Sequence, residues 1–71
     1  MTNREAYRKA KSILEKAGKD SPAFDTACLC KKFLGLSREQ LLISGEAAAD
    51  PDGVKALLSA AQSRAAGRPL Q

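Results

Sequence analysis

The side chains of this 71-residue chain that offer the most chemistry are Cys28 and Cys30, spaced Cys-Leu-Cys. Thiols so close together suggest a metal site, a redox pair or a disulfide. Each suggestion fails on geometry. On a helix, positions i and i+2 point about 200° apart, so the two sulfurs cannot share a metal ion. The spacing is also not the Cys-x-x-Cys of a redox or zinc motif, and a bridge across one residue would be strained. Both are expected to be reduced thiols that fill space as small hydrophobes, as in a cytoplasmic protein.

Other catalytic sets are missing their parts. The chain has no histidine, which removes the commonest general base and zinc ligand together. Asp50 and Asp52 flank Pro51 at a helix start, where capping and the helix dipole account for both. The five glycines stand singly, so no phosphate-cradling loop is present. No catalytic, cofactor-binding or metal-binding residue is assigned, and this chain by itself is not expected to be an enzyme. What remains is positive charge. The net charge is +4, and Lys31, Lys32 and Arg38 gather around one turn as candidate partner-binding residues. A short helix after a tight turn can resemble a helix-turn-helix. However, "REQLLIS" has few side chains suited to reading base edges, and no exposed-looking aromatics are available for stacking. A solvated face is the better expectation there.

These residues are carried by helices. The sequence has no alternating strand pattern, and helix punctuation recurs along it. From about Asn3 to Ala17, Ala6, Tyr7, Ala10, Ile13, Leu14 and Ala17 form one apolar arc, while Arg4, Glu5, Arg8, Lys9, Glu15 and Lys16 face the other way. Thr2 or Asn3 can cap this helix, and Gly18 can end it. Ser21-Pro22 opens a second helix, Pro22 to Leu34, with Asp25 in its first turn. Because Phe24 and Cys28 interrupt its polar side, this helix is apolar nearly all round and is expected at the centre of the core. Leu36-Ser37-Arg38-Glu39-Gln40-Leu41 has the spacing of a capping box and a hydrophobic staple. It predicts a short helix from Arg38 to about Ser44, stopped by Gly45. Asp50-Pro51 opens the last helix, with Val54, Leu57, Leu58, Ala61 and Ala65 on one arc and Gly67 at its end. The expectation is an all-α fold, a small orthogonal or antiparallel bundle of four to five helices. The second helix or the 46–50 connector is where a fifth would arise. No apolar run approaches the roughly 20 residues of a membrane span, and the polar N-terminus lacks a signal-peptide core. No membrane association is expected, and a monomer is.

Two blocks, "SPAFDTACLCKKFLGLSREQLL" and "VKALLSAAQSRAAGRPLQ", resemble the N-terminal domain of the HemK/PrmC family. Those enzymes are S-adenosylmethionine-dependent methyltransferases that modify the glutamine of the Gly-Gly-Gln motif in peptide chain release factors. Pro22, Asp25, Leu29, Leu34, Gly35, Leu36, Ser37 and Arg38 match the family's Pro-x-x-Asp-Ala opening and Leu-Gly-Leu-Ser-Arg turn. Arg64, Gly67, Pro69, Leu70 and Gln71 match its Arg-x-x-Gly-x-Pro-Leu-Gln ending. Ala23 stands where the family commonly has arginine, Thr26-Ala27 where it has Ala-Glu, and Cys28 and Cys30 where it has aliphatic residues.

The resemblance implies a helical N-terminal domain over residues 1–66. Residues 67–71 would begin a linker, cut short at Gln71, to a Rossmann-like methyltransferase domain absent from this chain. The family's Asn-Pro-Pro-Tyr motif and cofactor glycines belong to that absent domain, so no residue here inherits a catalytic role. S-adenosylmethionine is implied for the parent enzyme and no cofactor for this piece. The implied partners are a class-1 release factor and the catalytic domain of the same chain. The implied function is recognition and positioning of the substrate, since remote binding energy can orient a reacting side chain. Two alternatives are an independent basic nucleic-acid-binding bundle and a purely structural spacer.

Overall fold

The computed structural model describes residues 1–67. It contains four helices: α1 (Asn3–Lys16), α2 (Pro22–Phe33), α3 (Arg38–Ile43) and α4 (Pro51–Ala65). The fold is a small all-α bundle, as the helix punctuation predicts. No described helix is long and apolar enough to cross a membrane.

The core is built where the apolar arcs meet. Ala6, Ala10 and Leu14 of α1, Leu29 and Cys30 of α2, and Leu57 and Ala61 of α4 form one buried cluster. Alanines on α1 and α4 let the helices approach closely, and each buried leucine contributes about 1.5–3 kcal/mol. The centre differs from the expectation. α1, not α2, is the more central helix: it packs broadly against α4 and α2 and also touches α3. The apolar residue that made α2 look surrounded, Phe24, is 64% exposed.

Local caps mostly follow the sequence. Thr2 and Glu5 form a capping box at α1, with Glu5 N donating to Thr2 Oγ1 (3.1 Å) and Thr2 N to Glu5 Oε1 (2.8 Å). These hydrogen bonds, the backbone one first, lower the Glu5 pKa from its ordinary value. Ser37 and Gln40 form the expected box at α3, and Asp50 Oδ2 accepts from Gly53 N at 2.8 Å. Ser21 does not cap α2 with its hydroxyl. There the first turn rests on Pro22, and Thr26 Oγ1 donates back to Pro22 O at 2.6 Å.

The 46–50 connector does not form a fifth helix. It lies against the start of α1, where Thr2 and Ala48 form an antiparallel bridge. Asn3 N donates to Ala47 O and Arg4 N to Gly45 O, both at 3.0 Å. Two amides at the helix N-terminus, which lack partners within the helix, are satisfied this way. Asn3 is buried, and its Nδ2 donates to Ser44 O at 2.9 Å rather than capping the helix. Gly45 follows the end of α3 as predicted, but for a different reason: its φ is not positive. A Cβ there would lie 2.7 Å from Leu41 O and 3.0 Å from Arg4 Nη2, so only glycine admits this approach. Gly53 does the same between α4 and the end of α2, where a Cβ would lie 2.8 Å from Phe33 O.

One long-range ion pair joins the two sequence blocks. Asp25, in the first turn of α2, is buried, and its Oδ2 lies 3.1 Å from Arg64 Nε in the last turn of α4. Arg64 Nη2 donates to Asp25 Oδ1 at 3.3 Å. The Nε contact is close but poorly aligned as a hydrogen bond. The Nη2 bond therefore supplies the directionality, while the guanidinium as a whole supplies the charge. Pro69, Leu70 and Gln71, which continue the second block, lie outside the described residues.

Candidate functional site

The chain's remaining cations are organised by α1 and α3. Along α1, Arg4, Arg8 and Lys11 follow one another at helical spacing, so they share a stripe with Tyr7 beside it. The capping box at Ser37 and Gln40 sets α3 across this stripe, and Leu41 anchors the short helix to the core. Between the two helices lies an open depression of about 350 Å³. Arg4, Tyr7, Arg8 and Lys11 line it from α1, and Arg38, Leu41 and Leu42 line it from α3. Among the described residues no acidic side chain lines it. Arg4 pairs with Glu46 of the connector. Arg8, Lys11 and Arg38 make no ion pair among the described residues.

On the other side of α3 a second, shallower depression of about 470 Å³ includes Phe24, Cys28 and Lys31 of α2 and, from α3, again Arg38 together with the acidic Glu39. The structure therefore joins two of the three residues singled out from the sequence: Lys31 and Arg38 share this surface. Lys32 stands apart, with its Nζ 5.5 Å from the centre of the Phe33 ring in a cation–π contact. Sequence reasoning missed Arg8 and Lys11 as members of the site, although it placed Arg8 on the wet face of α1. Their signal was the spacing of residues 4, 8 and 11, which acquires meaning only once α3 is laid alongside.

The thiols separate as their spacing requires. Cys30 is fully buried and Cys28 partly exposed. Burial pushes the Cys30 thiol up to about 11, so it stays protonated at neutral pH. Among the described residues no group of three His, Cys, Asp or Glu is placed to hold a metal ion. What this surface can do is attract anionic groups to its cations and cover apolar ones with Leu41, Leu42 and Phe24.

Fold and surface together define a small all-α domain with a cationic, partly apolar face. Its family follows from sequence comparison: the PrmC N-terminal domain model matches residues 5–71, nearly the whole chain, and the chain belongs to that family. No curated protein and no solved structure matches it.

Proposed function

We propose that this chain is the substrate-recognition and positioning domain of an S-adenosylmethionine-dependent protein-glutamine N5-methyltransferase that acts on peptide chain release factors in the cytoplasm. The observation that carries this is the family match over residues 5–71. The cationic face between α1 and α3 supports it, because a large protein substrate needs a docking surface separate from the reacting atoms. Binding energy gathered there holds the target glutamine at the methyl donor, which the parent's catalytic domain would bind, and so lowers the entropic part of the barrier.

The test compares methylation of a class-1 release factor by the parent enzyme with and without residues 1–71. Cofactor binding is measured on both forms to show that the catalytic domain is intact. The expected result is a drop in kcat/KM of at least about tenfold, equivalent to about 1.4 kcal/mol of lost transition-state binding. Equal efficiency would eliminate a recognition role and leave the spacer reading.

A second reading, an independent nucleic-acid-binding bundle, draws on the same cations. It requires affinity for RNA or DNA that falls steeply with added salt. Absence of binding at low salt removes it.

A further inference from the structure

α3 is built in a way its own stability does not explain. Leu42 and Ile43 are 79% and 82% exposed, and none of the helix's six residues is buried. Arg38 occupies the first helical position, where the helix dipole disfavours a cation. Such a local conflict points to a role outside the fold. Beside it, Arg8 and Lys11 face a depression that no acidic side chain lines among the described residues. An exposed aliphatic side chain, Leu42, next to cations that make no ion pair among the described residues forms the mixed surface of a protein-docking site, with an apolar centre and a charged rim.

The occupant follows from complementarity. A second copy of this chain would bring like charges together, which disfavours a symmetric dimer through this face. A nucleic-acid backbone would satisfy the cations but leave Leu42 in water. A protein segment that carries both carboxylates and aliphatic side chains satisfies both. Resting on the recognition role proposed above, we infer that the α1–α3 face docks an acidic, aliphatic-bearing segment of the protein substrate. Arg8, Lys11 and Arg38 receive its carboxylates, and Leu42, beside Tyr7 and Leu41, covers its apolar side chains.

The test measures binding of the 71-residue chain to a purified class-1 release factor by calorimetry at low and moderate salt. Three variants accompany the wild type: Arg8→Glu with Lys11→Glu, Leu42→Ser alone, and, as a charge-matched control away from the face, Lys9→Glu with Lys55→Glu. Helical content and thermal midpoint are recorded for each. The first two variants should weaken binding about tenfold or more while staying folded, and the control should change it by less than about threefold. Restoring charge with Arg8→Lys and Lys11→Arg should restore binding. If the wild type binds and both face variants bind equally well, the docking surface lies elsewhere, although the recognition role survives. If the wild type does not bind the release factor, both proposals fail together. If a single-stranded RNA binds instead, lost on charge reversal but indifferent to Leu42→Ser, the face is a nucleic-acid surface and the inference is overturned.

Discussion

α4 and α3 both begin with a side-chain cap, yet α4 buries Gly53, Leu57 and Ala61, whereas α3 buries nothing. α4 is therefore held by tertiary packing, as most protein helices are. α3, with six residues, is too short to persist by propensity. Its shape rests on the Ser37–Gln40 box, on partly buried Leu41 and on the close approach at Gly45. The contrast teaches where this small domain keeps its stability and where it can present side chains. One face of α4 is committed to the core. Most of α3's residues are available to something else.

The sharpest way to break this contrast is to truncate on the packed side. Leu57→Ala removes a fully buried side chain and should cost about 2–5 kcal/mol. A 71-residue domain is expected to have only about 4–10 kcal/mol in total. Urea denaturation should show the midpoint collapsing. A loss below about 0.5 kcal/mol would mean that α4 is not where the core is made.

Next in size is the ion pair between α2 and α4. Asp25→Asn leaves Arg64 facing a neutral group and should cost about 1–3 kcal/mol. The lower half of that range is favoured because the Arg64 side chain keeps 25% of its exposure. A double-mutant cycle with Arg64→Met should return a favourable coupling. A coupling near zero would show that α4's end is held by packing alone.

How much of this could be read from the sequence depends on distance along the chain. The caps at Thr2, Ser37 and Asp50 were legible because donor and acceptor lie three residues apart. The apolar arcs of α1 and α4 were legible from periodicity, and Leu14, Leu57 and Ala61 are buried as expected. Contacts between distant residues were not. Asp25 looked like a dipole partner at a helix start, and only the fold brings Arg64 to it from 39 positions away. Asn3 looked like a cap, but the connector gives its side chain Ser44 O instead. The candidate site divided along the same line. Lys31 and Arg38 were found because one turn joins them, while Arg8 and Lys11 belong through the packing of α3 against α1.

Smaller effects should separate local from global stability. Ser37→Ala removes one half of the α3 box and should cost about 1 kcal/mol. Hydrogen exchange should locate the loss. The amides of Leu41 and Ser44, which donate to Ser37 O and Gln40 O, should exchange faster, and the α4 amides should keep their protection. Uniform loss of protection would mean that α3 is part of the cooperative core. At α1 the same logic gives a pH dependence. The folded-state pKa of Glu5 is lowered, so its contribution is present above the ordinary carboxylate range and is lost as pH falls through the lowered value. Acid titration should fray the start of α1, and Glu5→Gln should remove that component.

The smallest expected effect is the most discriminating. Leu42→Ser with Ile43→Ser replaces two large aliphatic side chains, which in α1 or α4 would be ruinous. Here both are about four-fifths exposed, at 79% and 82%, so the folded state gives up almost no buried area. Serine's lower helix propensity then sets the change, which should stay within roughly 1 kcal/mol for the pair. An unchanged thermal midpoint would show that these side chains do not serve the fold. A large loss would mean that α3 packs more deeply than its exposure implies, and the division between a structural α4 and a surface-presenting α3 would have to be abandoned.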